Sequence, residues 1–282
     1  MLAPSKLPNE YCAWNRECKA PFGPRLWSRF LEGKYYGRFG WRWSPGRVAW
    51  TNRMKFSRWV MRRLGPFAFQ SNSGTRTFEY PWAFHATTLS AGMRAVEIGG
   101  GASGFQFILA ERGLDVESVD PVVNPGKAVD WVFSWDDFER LNRAFGGRVK
   151  LIRDYIERAH LQSDAYERVF AISVIEHIPE AGVYSIMREV RRILKPGGYF
   201  IATIDLFLDC YPFTDRRASQ FGQNISVRNL VKESGLELRR GTPCELWGYP
   251  QFDTERIIMN RRQFLAVNNV MTQCLVLQKA SG

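Results

Sequence analysis

The sequence predicts a doubly wound α/β protein: a mostly parallel, seven-stranded sheet filling the C-terminal two-thirds, preceded by a basic, aromatic-rich N-terminal extension. Three observations predict it. From residue 94 onward, short apolar runs alternate with amphipathic stretches, the βαβ pattern of a parallel sheet. The first of those runs ends in a glycine-rich turn that opens a helix. The charge is also divided unevenly: residues 1–88 hold 15 Lys+Arg against 4 Asp+Glu, which leaves 24 against 24 of the chain's 39 and 28 for residues 89–282.

With 282 residues, 45% of them hydrophobic, the chain can bury a substantial core, and its length suits one catalytic domain (89–282) with an appended segment (1–88). No stretch approaches the ~20 apolar residues of a membrane span, and the first thirty residues lack the apolar run of a secretory signal, so a soluble, cytoplasmic setting is expected. The five cysteines are odd in number and scattered, which fits reduced thiols. None of the three histidines lies near Cys12 and Cys18, so no metal site is expected.

Residues 1–46 are rich in Pro, Gly, Trp and Tyr without a sustained period and read as irregular structure wrapped on the rest. Residues 51–64 place Phe56, Trp59, Val60 and Leu64 on one helical face and Arg53, Lys55, Arg58 and Arg62 largely elsewhere. This basic amphipathic helix would dock on the catalytic domain in preference to a membrane or RNA. A polar loop at 70–77 leads to a helix at 78–90 with Pro81 near its first turn. Strands are then expected at 94–98, 115–119, 149–152, 168–173, 199–204, 237–240 and 273–278, and helices at 104–112, 135–145, 181–194 and 227–234.

The first strand runs Ala95-Val96-Glu97-Ile98 into Gly99-Gly100-Gly101-Ala102-Ser103-Gly104, and a helix follows. Such a turn lets a ligand approach bare backbone at a helix N-terminus. Glu97 adds an acid at the strand end, able to hold a cationic or hydroxylated ligand without a phosphate clamp. The second strand ends in Asp120, placed to accept hydrogen bonds from a ribose diol. The glycines alone fit two patterns, because they also satisfy the G-x-G-x-x-G of dinucleotide binding.

Up to this point the chain resembles the class I S-adenosylmethionine-dependent methyltransferases, whose motif reads acid-x-Gly-x-Gly-x-Gly; Ser103 stands at the third glycine position. Two later segments, YERVFAISVIEHIP at 166–179 and VRRILKPGGYFI at 190–201, are similar to further motifs of that superfamily in the usual order, and dehydrogenases lack them. The resemblance spans residues 78–279 and implies S-adenosyl-L-methionine as cofactor. It implies that Glu97, Gly99, Gly100 and Gly101 line its methionine part, that Asp120 holds the ribose, and that Asp154 and Tyr155 lie near the adenine. Ser173 would sit under the transferred methyl. Arg76, Glu79 and Tyr80 occupy the approach where many relatives close over the cofactor carboxylate, although packing explains Tyr80 and Trp82 equally well.

Methyl transfer requires nucleophile, carbon and sulfur in line, so alignment dominates. For a hydroxyl acceptor a base assists, and His177, after the fourth strand, is the candidate, the alternative being that it only braces its loop. The segment 205–224 falls where substrate loops gather. Its acids Asp205, Asp209 and Asp215 read by default as a solvated loop, and Phe207, Tyr211, Phe213 and Phe221 suit a small organic or glycosyl acceptor. The expected activity is therefore methylation of a small molecule, with a hydroxyl of a sugar or natural-product scaffold favoured. An RNA methyltransferase using the basic N-terminus ranks second, and a non-catalytic binding or docking protein third.

Overall fold

The structure is a computed structural model that describes residues 1–18, 62, 65–68, 74–121 and 135–281. The basic helix expected at 51–64 lies outside the described residues, apart from Arg62. Helices α1 (Asn9–Glu17) and α2 (Arg76–His85) precede β1 (Arg94–Ile98), α3 (Phe105–Glu111), β2 (Asp115–Val119), α4 (Trp135–Ala144), β3 (Val149–Ile152) and β4 (Tyr166–Ile172). Then come α5 (Glu180–Ile193), β5 (Leu194–Phe207), α6 (Val227–Ser234), β6 (Glu237–Arg240), α7 (Thr254–Met259) and β7 (Val270–Gln278). The sheet runs β3-β2-β1-β4-β5-β7-β6, parallel except where β7 pairs antiparallel with β5 and β6.

Burial on both faces explains why the inner strands are apolar throughout. One face is covered by α2 and α3, whose Phe78, Trp82, Phe105 and Phe107 share a cluster with Ala95 and Phe170. On the other face, Val183, Ile186, Met187, Val190 and Ile193 recur at helical spacing along α5 and pack with Val96, Val169 and Phe200. Glu180 in the first turn and Arg191 and Arg192 in the last turn of α5 suit its dipole.

Three expectations need correction. The segment 1–46, read as irregular, contains α1, and in front of it Leu2 bridges Gln273 of β7 while Ala3 donates to Thr272. Tyr11 and Trp14 of α1 stack into the same core as Phe78 and Phe67. Second, the helix before β1 starts at Arg76, so Pro81 falls in its interior and cannot donate to the Thr77 carbonyl four residues back. Asn15 of α1 supplies that bond, its Nδ2 lying 2.8 Å from the Thr77 carbonyl oxygen. This long-range repair is what a proline-based boundary rule could not foresee.

Third, β5 and β7 outrun their expected ends. The antiparallel ladder continues from Tyr199↔Gln278 to Phe207↔Val270, with Asp205 opposite Thr272. Asp205 and Phe207, expected in a solvated substrate loop, are therefore strand residues, and Phe207 is fully buried. A charged residue looked like a strand end because the sequence does not show which neighbour the strand pairs with.

Candidate active site

The C-terminal ends of β1 to β4 lie side by side, because Ile98 is in register with Val119 and with Ala171, and Val119 with Ile152. The strand order reverses between β1 and β4, so the connections leave in opposite directions and open a crevice at that edge. Gly99, Asp120, Asp154 and Ser173 each follow their strand within two residues. The residues singled out in the sequence are thus drawn to one edge of one sheet.

The turn after β1 is held by its own neighbours. Gly99 has a φ of +63°, and a Cβ there would stand 2.8 Å from Val174 Cγ1. At Gly100 a Cβ would meet Glu97 Cδ at 2.9 Å, so the glycine leaves room for the acid beneath it. The Gly101 N–H donates to Asp120 Oδ2 at 2.9 Å, and Gln106 Nε2 donates to the Gly101 carbonyl at 3.0 Å.

Glu97 is fully buried; one oxygen accepts from Ser103 Oγ at 3.1 Å, and the other has no partner among the described residues. Burial pushes its carboxyl up to about 8. Glu117, also buried, provides the contrast: it accepts from Tyr166 Oη at 3.0 Å and from Lys150 Nζ at 3.1 Å. A satisfied acid such as Glu117 is structural, whereas an orphaned one points to a missing partner. A donor or a cation placed there would draw the carboxyl into its charged form. A dinucleotide pyrophosphate fits badly, because Asp120 already occupies the Gly101 N–H. An aminoacyl sulfonium nucleoside fits the same groups well.

The methyltransferase domain family matches residues 76–266, from the start of α2 to the stretch before β7. The chain belongs to that family. It is accordingly a class I S-adenosylmethionine-dependent methyltransferase domain, as its motifs resemble, and S-adenosylmethionine is the cofactor. A curated relative, sterol 4-C-methyltransferase strm-1 of Caenorhabditis elegans, is 25% identical over 113 residues; the match covers 40% of this chain and 31% of that protein. Among solved structures, the cyclase SpnF has a TM-score of 0.53 at 13% identity, covering 85% of this chain and 97% of its own. An S-adenosylmethionine-dependent methyltransferase from Mesorhizobium loti has a TM-score of 0.48 at 14% identity, covering 71% and 97%. The likeness to a cyclase concerns the fold, which does not fix chemistry.

Asp154 Oδ1 accepts from the Tyr155 N–H at 2.8 Å, and Tyr155 is 43% exposed with Arg158 over its ring. Tyr80 is buried behind the glycine turn, its ring 5.0 Å from that of Phe67 and 5.5 Å from that of Phe105, and burial pushes its phenol up to about 12. Ser173 takes a left-handed φ of +53°, unusual outside glycine, and its Oγ donates to Asp205 Oδ2 at 3.3 Å. His177, in a 3-10 turn after β4, has a side chain 46% exposed; its Nδ1 meets the Phe221 carbonyl, and its Nε2 lies 3.9 Å from Glu176 Oε1.

One group of residues was missed as a unit. Arg76 and Glu79 of α2, Glu176 after β4, Asp205 of β5 and Thr272 of β7 form one polar cluster that reaches Ser173 through Arg76 and Asp205. Arg76 Nη2 donates to Ser173 Oγ at 3.4 Å, and Thr272 Oγ1 lies 2.7 Å from Glu79 Oε1 and 3.4 Å from Asp205 Oδ1. Burial pushes the carboxyls of Glu79, Glu176 and Asp205 up to about 7 each. These residues come from four separate places in the chain, and only the polar character of each inside an apolar run could have signalled them. A cavity of about 770 Å³, lined by Glu17, Arg62, Ile108, Arg112 and Arg148 among others, opens at the opposite end of the sheet, beside the C-terminal half of α3, and has no part in this edge.

Proposed function

We propose that this chain transfers a methyl group from S-adenosylmethionine to a small-molecule acceptor, with a hydroxyl as the acceptor group. The observation that carries the reading is the buried carboxyl of Glu97 beneath the glycine turn, one oxygen of which has no partner among the described residues, on an edge where Asp120 and Asp154 also stand. In this reading Glu97 and the backbone of Gly99, Gly100 and Gly101 hold the methionine part. Asp120 takes the ribose hydroxyls, while Asp154 and Tyr155 flank the adenine. Ser173 lies beneath the transferred methyl, with Arg76 and Tyr80 closing the methionine end. When bound, the cofactor supplies a methyl carbon activated by a positively charged sulfur. The chain's own task is to align the acceptor, exclude water and accept a proton.

His177 belongs to the proton-accepting side of this reading, and Phe221, whose carbonyl the imidazole meets, and Tyr211, both exposed, form the rim met by the acceptor. Residues 1–88 serve as a cap on the catalytic domain, a role supported by the packing of α1 against its core. Among the described residues no helix is long and apolar enough to cross a membrane, and the five cysteines are free; both fit a cytoplasmic setting. The test is a screen with radiolabelled S-adenosylmethionine against sugars, phenols, amines and RNA, preceded by calorimetry with S-adenosylmethionine and with NAD. Binding of the sulfonium cofactor and labelling of hydroxyl compounds is expected. Binding of NAD alone, or transfer to RNA alone, would overturn the reading.

A further inference from the structure

Helix α7 and the turn after it carry an apolar patch that neither the cofactor nor the acceptor reading uses. The inward side of α7 accounts for its place: Ile257 is buried with Leu206 and Leu208 at the end of β5, and Phe213, Trp247, Phe252 and Phe264 pack against that cluster. The next two residues are left outside. Met259 is 85% exposed and Ile258 46%, and they are the exposed large aliphatic side chains among the described residues. A single exposed hydrophobe needs no explanation, whereas two adjacent ones that also line grooves do. One groove, of about 560 Å³, is lined by Ile258, Met259, Arg261, Arg262, Phe264 and Ala266. Another, of about 330 Å³, sets the same two side chains with Phe213, Thr254 and Glu255.

The charge around the patch is mostly basic. Arg256, Arg261 and Arg262 are exposed, and no carboxylate pairs with any of them among the described residues. Arg261 Nη2 donates to Asn269 Oδ1 at 2.9 Å, a neutral partner that leaves its charge uncompensated. Of the nearby acids, Asp253 is engaged as the cap of α7, where its Oδ1 accepts from the Arg256 N–H at 3.0 Å, and Glu255 lines the smaller groove. The larger groove has two guanidinium groups and no acid among its described lining residues.

We propose that this edge of the molecule docks on an anionic lipid bilayer, with Met259 and Ile258 entering the boundary between headgroups and acyl chains and Arg256, Arg261 and Arg262 on the lipid phosphates. Guanidinium groups bind phosphate oxygens in pairs, and their stems lie along apolar surface while the heads stay wet. A second copy of the chain fits less well, because patch against patch would oppose the same three arginines. A stable protein partner needs about 1,000 Å² of complementary surface. A fluid anionic surface takes up two protruding side chains and three charges without such complementarity. The position of the patch also suits a role at a surface. Val270, which opens β7, pairs with Phe207 at the C-terminal end of β5, so α7 and the candidate active site share one edge of the sheet. Aromatic contacts of Tyr211 with Trp247 at 5.6 Å, Trp247 with Phe252 at 5.4 Å and Phe252 with Phe213 at 6.1 Å join the acceptor rim to the patch.

Co-sedimentation of the full chain with phosphatidylcholine vesicles, with and without phosphatidylglycerol, tests the docking without cofactor or acceptor. Binding is expected to the vesicles that contain phosphatidylglycerol and should weaken as salt is raised. Met259→Asp should reduce it on the order of 10–10²-fold, and Arg261→Gln and Arg262→Gln about fivefold each. These side chains are exposed, so all three variants should keep the wild-type Tm and bind S-adenosylmethionine as the wild-type chain does. Absence of vesicle binding by the folded wild-type chain, equal binding to neutral and anionic vesicles, or binding that the three variants leave unchanged overturns the proposal. A dimer in sedimentation velocity that Met259→Asp dissociates, without vesicle binding, assigns the patch to a second copy instead. Failure to bind S-adenosylmethionine would fault the cofactor assignment and leave the vesicle result standing.

Discussion

Replacing Glu97 by glutamine should change how the stability of the cofactor-free chain depends on pH. The carboxyl titrates at about 8 in the folded chain against an ordinary 4.5, so between those values the folded state holds one proton that the unfolded state has released. Stability therefore falls as pH rises through this window, and the contribution present below pH 4.5 is lost by the time the folded group ionises. A difference of three to four units at about 1.4 kcal/mol per unit amounts to on the order of 4–5 kcal/mol across the window. Glutamine keeps the shape and one acceptor for Ser103 Oγ but cannot ionise. Urea denaturation at intervals from pH 5 to pH 8 should show wild-type stability dropping by about 1.4 kcal/mol per pH unit more than that of Glu97→Gln. Saturating S-adenosylmethionine should flatten the wild-type slope, because a cation beside the carboxylate favours its charged form. Parallel curves for the two proteins would refute both the buried titration and the reason for assigning Glu97 to the cofactor.

Other perturbations probe the turn, the ribose side and the N-terminal dock. Gly99→Ala and Gly147→Ala both put a side chain at a left-handed φ, for about 1–2 kcal/mol, but only the first also meets Val174; calorimetry should find cofactor affinity weakened at 99 and unchanged at 147. Asp120→Ala should weaken S-adenosylmethionine binding by about 1–3 kcal/mol, and an unaltered Kd would remove Asp120 from the site. Asn15→Ala strands the Thr77 carbonyl inside α2 and should cost about 1–3 kcal/mol, read as a Tm lower by several degrees; an unchanged Tm would mean that water replaces the bond.

The strand–turn–helix unit from Ala95 to Phe107, the positions of the strands along the chain and the acids at their ends were legible in the sequence because each depends on short-range pattern. Apolar runs of strand length, glycines where Cβ has no room and a helix period along α5 are properties of neighbouring residues, and they fix the edge on which Glu97, Asp120 and Asp154 appear. Tertiary structure alone decided what stands opposite what. The antiparallel pairing of β5 with β7 turned Asp205 from a loop acid into a strand residue facing Thr272, and the packing of α1 on α2 allowed Asn15 to compensate for Pro81. Folding also brought Arg76 and Asp205 to Ser173, and Glu79 to Thr272. A carboxyl's proton affinity depends on the water and charges within a few ångströms, and those neighbours are set by contacts between residues as much as 193 positions apart.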